Sequence, residues 1–214
     1  GGHGAERLAK LLASRGVRPA LVLDEGLSIA EGPVLDVPGP IAMVGTAEKG
    51  YLSVELLVRA EGGHSSMPPR HTAIGILAKA ILRLEHDQPP VAIAGATGRL
   101  LDFLGPEMPL ARRIPLANRW MFRGVVERQL ADSPATDALI RTTTAPTMLE
   151  GSVKENVLPA RARAVINFRI RPGESTASVL AHVRTAVHDR RVTIAPFGVA
   201  ASEPSPESAP DSPE

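Results

Sequence analysis

Cysteine is absent from all 214 residues, which excludes disulfides, thiolate metal sites and a cysteine nucleophile. Aromatic residues make up only 3%, so any core has to be assembled from Leu, Val, Ile and Ala side chains. No apolar run approaches the roughly 18 residues that cross a bilayer. The opening GGHGAERLAK is not a secretion signal. An excess of one charge sign is missing too. The 24 basic and 23 acidic residues leave a net charge of +1, which argues against a nucleic-acid footprint or a polybasic membrane patch. These absences leave no nucleic acid and no membrane among the expected partners. The compartment stays open, with the cytoplasm favoured.

What is present is ordinary for a folded chain. Hydrophobic content of 43% and charge of 22% lie near globular averages, and the length suits one large or two small domains. Residues 4–15 (GAERLAKLLASR) place Leu8, Leu11 and Leu12 on one helical face. Residues 19–24 (PALVLD) read as a fully apolar strand, and 41–46 (IAMVGT) as another strand of the same parallel-type sheet. The pattern then changes. Residues 50–60 alternate like a half-buried antiparallel strand, and 71–86 carry Ile74, Leu77, Ala78, Ile81 and Leu82 at helical spacing. Residues 139–149 and 160–170 read as strands, 175–189 as a helix and 191–196 as a last strand. Strand-helix-strand-strand-helix-strand is the order of a ferredoxin-like sandwich, an α+β fold with helices on one face of an antiparallel sheet. Residues 90–138 interrupt it as a proline-rich helical insertion. The closing SEPSPESAPDSPE reads as linker or tail.

Four residues invite a chemical reading. Asp24 ends a buried strand, the edge where open α/β sheets hold ligands, although on position alone an acidic turn before Gly26 is the favoured reading. His64 lies in EGGHSSMPPRHT, on a backbone that Gly62 and Gly63 let turn and Pro68 and Pro69 stiffen. An imidazole there is able to hydrogen-bond or protonate a developing oxyanion, and a loop histidine bonded to Ser65 or Ser66 explains it equally. Asn156 in KENVLP and Arg169 in NFRIRPG flank a strand. If a turn brings them together, the guanidinium fork and the amide suit a substrate carboxylate, although Arg169 taken alone reads first as a surface arginine beside Arg171. Of the two arginines in FRIR, Arg171 is expected at the surface because it adjoins the Pro172-Gly173 turn.

Together, VLDEG, GTAEKGYLSVELLV, GGHSSMPPRHTAIGILAKAI, RTTTAPT, KENVLPARARAVINFRIRPGES and DRRV resemble one family. It is the co-catalytic zinc metallopeptidases that include carboxypeptidase S, aminoacylase, glutamate carboxypeptidase and succinyl-diaminopimelate desuccinylase. The likeness runs from Gly1 to about Pro206 and is strongest to the carboxypeptidase S and N-fatty-acyl-amino-acid hydrolase branch. The resemblance implies part of a zinc-peptidase catalytic domain over 1–47, a remnant of its α/β sheet. It implies a lid and dimerisation domain over 48–197, and a linker or tail over 198–214. It makes Asp24 a zinc ligand and His64 a lid histidine that reaches the partner subunit's active site. Asn156 and Arg169 become the grip on the substrate's carboxylate. The implied parent holds two zinc ions, dimerises through its lid and cleaves an amide next to a free carboxylate, in an N-acyl amino acid or a peptide.

The departures shape the expectation for this chain. The family's H-x-D is absent, as are the Glu-Glu pair expected just before Gly1-Gly2 and the final zinc histidine. One carboxylate does not make a catalytic metal site, which takes three or more protein ligands. The chain is therefore expected to be an inactive fragment that does not retain zinc, with a catalytically dead stand-alone dimerisation module as the alternative.

Overall fold

The structure, a computed structural model, describes residues 2–20, 22, 27, 29–30, 37–198 and 200–209. In chain order these form α1 (Gly2–Ser14), β1 (Ile29–Ala30), β2 (Ile41–Ala42), β3 (Gly50–Arg59), β4 (Gly63–His64) and α2 (Ala73–His86). The insertion follows as α3 (Gly95–Leu104), a 3₁₀ turn (Gly105–Glu107), α4 (Leu110–Ala117), α5 (Arg119–Ala131) and α6 (Pro134–Ile140). The chain then returns through β5 (Thr143–Glu150), β6 (Val157–Leu158), β7 (Arg161–Ile170), α7 (Thr176–Val187) and β8 (Val192–Pro196).

Period-two alternation builds the sheet. In β3 the residues Leu52, Val54, Leu56 and Val58 are buried, and in β7 Ala162, Ala164, Ile166, Phe168 and Ile170 are buried. Strands β5, β7, β3 and β8 lie side by side in that order, all antiparallel. Helices α2 and α7 cover the apolar face, with Ile76, Leu77, Ala80 and Leu84 from one and Val179, Val183 and Val187 from the other. The ferredoxin-like α+β architecture is therefore present. Helix α2 starts where Thr72 Oγ1 accepts the Gly75 N–H, and α7 opens with a reciprocal Ser175–Ser178 capping box. Arg83 of α2 donates to the Val187 carbonyl and so ties the ends of the two helices together.

The insertion carries a small core of its own, with Leu101, Val126, Leu130 and Ile140 packed together. It runs to Ile140, so the strand expected from 139 begins at Thr143. Strand β5 is an edge. Thr147 is an extra residue between the Pro146↔Ile166 and Met148↔Val165 pairs, and Pro146 has no N–H to offer a neighbour.

Outside this sandwich two expectations change. Of the predicted strand 41–46, only Ile41–Ala42 pairs, antiparallel to Ile29–Ala30. A fully apolar strand of a parallel sheet needs cover on both faces, and Val44 is instead 80% exposed. The predicted strand 19–24 falls largely outside the described residues. The Pro/Ser/Glu segment, as far as Ser208, is held against the chain that enters β3. Ser202 exchanges backbone hydrogen bonds with Tyr51, Ser205 N–H donates to Glu48 O at 3.0 Å, and Ser208 N–H to Thr46 O at 2.7 Å. Glu203 accepts the first free N–H of α7 at Thr176, and Glu207 accepts the Ala96 N–H and pairs with Arg99. Two carboxylates thus cap two helices, as the exposed N–H groups there favour.

Gly50 makes this approach possible. A Cβ there would lie 2.6 Å from the Ser202 oxygen and 2.7 Å from the Pro204 nitrogen, backbone atoms with little room to retreat. Gly50→Ala is expected to push residues 202–208 off and to cost about 1–3 kcal/mol, the usual range for overpacking. Faster amide exchange at Ser205 and Ser208, with a lower unfolding temperature, is the predicted result. Unchanged exchange at both amides would refute the contact.

Candidate functional site

His64 stands at the tip of a ribbon. Past the main sheet the β3 and β7 chains stay side by side: Ala60 N–H donates to Ala160 O, then β4 pairs with β6 through Gly63↔Leu158 and His64↔Val157. Gly62 serves this pairing by close approach. Its φ is not positive, and a Cβ there would lie 3.1 Å from Leu158 O. The glycine is thus needed for strand contact, not for the turn expected from the sequence.

The ring is exposed and oriented. Ser66 N–H donates to His64 Nδ1 at 3.2 Å, and Ser66 Oγ lies 2.9 Å from the same nitrogen. A backbone N–H is only ever a donor, so in the neutral ring Nδ1 is the acceptor and Nε2 carries the hydrogen. Nε2–H has no partner among the described residues. It is a donor held ready for an incoming oxygen.

Asn156 is its neighbour. Its carbonyl accepts the Ser65 N–H at 3.1 Å, and its side chain is exposed. Arg169 is elsewhere. It sits near the far end of β7, eight residue steps from Arg161, or about 26 Å at 3.3 Å per step. Asn156 precedes the start of that strand, so the structure brings His64 and Asn156 together but does not bring either to Arg169. The amide and the guanidinium do not meet at a turn, because a whole strand separates them.

Arg169 lies on the face of the sheet that carries no helix. Its guanidinium stacks on the Tyr51 ring, 5.1 Å from the centroid, across the Tyr51↔Arg169 pair. Further along the same face Arg163 pairs with Glu55 and Glu150, whereas Arg169 has no carboxylate partner among the described residues. The expectation for its neighbour reverses. Arg171 is only 18% exposed, and Glu174 accepts from its Nη2 at 3.0 Å and from Thr142 at 2.6 Å. The Pro172-Gly173 turn folds back on that network instead of exposing it. Lys49 lies close by and donates to the carbonyls of Ala138 and Arg141 at 2.6 and 2.9 Å. Burial lowers its pKa, partly offset by Asp137 and Glu174, while Arg169 and Arg171 lower it further.

Tyr51, Ser53 and Asn167 escaped the sequence reading. They line the Arg169 side of the sheet, with Asn167 donating to Ser53 Oγ at 3.2 Å and that hydroxyl 3.1 Å from the Tyr51 hydroxyl. Period-two counting from Arg169 gives Asn167, but the cross-strand partner Tyr51 requires the register.

Asp24 lies outside the described residues. Among the described residues no group of three or more His, Asp or Glu side chains converges as a metal site. A cleft of about 370 Å³ lies in the insertion between Leu101, Met108, Val126 and Leu130, and His64, Asn156 and Arg169 do not line it. Among the described residues no helix is long and apolar enough to cross a membrane.

Comparison with known proteins agrees with this anatomy. Residues 46–193 match the family described as the peptidase dimerisation domain of M20 peptidases. The chain is 40% identical over 211 residues to the human N-fatty-acyl-amino acid synthase/hydrolase PM20D1, covering 98% of this chain and 42% of that protein. It is 42% identical over 213 residues to the probable carboxypeptidase S-like 2 of Dictyostelium discoideum, covering 98% and 40%. Among solved structures, human carnosine dipeptidase 1 aligns at 12% identity and a TM-score of 0.47, covering 79% of this chain and 41% of that one. The chain spans about two-fifths of the length of the curated relatives it matches. With the family matched over most of its length and two relatives at 40% identity or more, the chain belongs to the M20 peptidase family and carries its dimerisation domain.

Proposed function

We propose that this chain is the lid and dimerisation part of a zinc-dependent amidohydrolase or carboxypeptidase that cleaves an amide next to a free carboxylate. Its substrates are N-acyl amino acids or the C-terminal residues of peptides. Residues 1–47 belong to the catalytic domain and 48–197 to the lid, and the chain alone is inactive. Arg169 forks the substrate carboxylate, Asn156 donates a further hydrogen bond, and His64 Nε2–H stabilises the oxygen on which negative charge develops.

The observation that carries this reading is the separation of these groups. In such a substrate the carboxylate and the scissile carbonyl are a few bonds apart, whereas His64 and Arg169 are about a strand length apart. One site has to take His64 and Asn156 from one chain and Arg169 from another. A symmetric dimer supplies that, and the β5 edge offers backbone groups for a second copy to pair with.

The test is selectivity for the charge. Full-length protein is assayed on an N-acyl amino acid and on the same compound with its carboxylate converted to an amide. Loss of a bidentate charged pair predicts about 10–100-fold lower kcat/KM for the amide. Arg169→Ala is expected to erase most of that difference. Equal turnover of both compounds refutes the carboxylate grip, and absence of turnover by metal-loaded full-length protein favours a non-catalytic dimerisation module.

A further inference from the structure

We infer that Tyr51 is a positioning residue for Arg169, holding the guanidinium in the plane from which it meets a carboxylate. This rests on the reading of Arg169 as the carboxylate anchor. The Arg169 guanidinium carbon lies over the Tyr51 ring, 5.1 Å from its centroid, and a cation–π contact of this kind engages a face of the guanidinium and does not need its N–H groups. An arginine whose only support is solvent samples many rotamers, and each ordered torsion has to be fixed again when a ligand binds. Stacking fixes them beforehand.

The ring is itself fixed at both ends. Its hydroxyl accepts from Ser53 Oγ at 3.1 Å, and Ser53 Oγ in turn accepts from Asn167. Its backbone N–H donates to Ser202 O and its carbonyl accepts from Ser202 N–H, each at 2.9 Å. Ser202 belongs to the segment that Glu203 and Glu207 anchor to α7 and α3. Tyr51 is therefore where the sheet face bearing Arg169 meets the chain leaving the sandwich, and the placement of Arg169 depends on that junction. Half-buried on the helix-free side, Tyr51 lies outside the apolar core, so its removal leaves that core intact.

Two variants separate the ring from the hydroxyl. Tyr51→Phe keeps the stack and loses the Ser53 contact; Tyr51→Leu loses both. The first readout is the Arg169 Nε–Hε resonance of this chain, which a ring at this distance shifts upfield. The shift is expected in the parent chain and in Tyr51→Phe, and its loss in Tyr51→Leu. A parent-chain resonance at the ordinary arginine position overturns the stack without needing any variant. The second readout is kinetic, in full-length protein on an N-acyl amino acid. Tyr51→Leu is expected to raise KM about two- to five-fold with kcat within twofold, the effect of one exposed stacked contact. Tyr51→Phe, which keeps the ring and loses only its tie to Ser53, should raise KM less than Tyr51→Leu does. If Arg169→Ala raises KM but Tyr51→Leu does not, the positioning role falls and the anchor stands. If Arg169→Ala leaves KM unchanged, the anchor reading falls, whatever Tyr51 does.

Discussion

Phe168→Ala is expected to remove about 3–5 kcal/mol of stability, the range for emptying a fully buried aromatic site. Phe168 has no solvent exposure and stands on the helix-covered side of the sheet, between Leu52 of β3 and Thr144 of β5. Its neighbours Leu56, Ile166, Leu77 and Leu84 are equally closed off, so collapse around the gap would have to drag strands and helices together. With aromatics at 3% of the chain, no second large ring shares this load in the sandwich core. Domains of this size are typically stable by about 5–15 kcal/mol, so the variant should sit near the edge of folding at 37 °C. Chemical denaturation should show the midpoint falling sharply with an unchanged slope. Phe168→Leu, which refills most of the volume, should recover more than half of the loss. A loss under 1 kcal/mol in the alanine variant would mean that the site collapses freely and the packing described is wrong.

The same alternation that buries Phe168 made most of the sandwich readable. Strands β3 and β7 repeat apolar residues every second position, and α2 and α7 every third or fourth, so side-chain period alone separated them. Thr72 and Ser175, which cap the two helices, do so by chemistry that needs no tertiary context. Legibility ended where the third dimension decides. Arg169 and Arg171 are two residues apart in one sequence motif, yet one is open and the other is locked by Glu174, because the turn after Ile170 folds back onto Thr142. The SEPSPE segment has the composition of a linker, but Glu203 and Glu207 find free helix N–H groups that no local rule locates. The candidate site was legible as residue types in a family pattern. Its division, with His64 and Asn156 at one end and Arg169 at the other, follows only from the register of β3, β7 and their ribbon extension.

That division gives the last prediction its form. In the full-length protein His64→Ala is expected to lower kcat by about 10²–10³-fold, as loss of one preorganised oxyanion donor does, with KM and fold little changed. Arg169→Ala should mainly raise KM, because a carboxylate anchor holds ground and transition states alike. The two defects are then placed on different chains. In a His64→Ala homodimer every site lacks the imidazole, and in an Arg169→Ala homodimer every site lacks the guanidinium. After equal mixing and exchange, about half of the dimers are mixed, and each mixed dimer has one site with both groups and one with neither. About a quarter of all sites are then intact, so activity assayed well below KM, where sites lacking Arg169 contribute little, should recover to roughly a quarter of the parent level. If each site instead drew His64 and Arg169 from the same chain, every site in the mixed dimer would keep one defect and nothing would be regained. Verified subunit exchange without recovery would therefore assign both residues to one chain's site and overturn the composite arrangement; recovery near a quarter would fix His64 as a donor acting across the dimer.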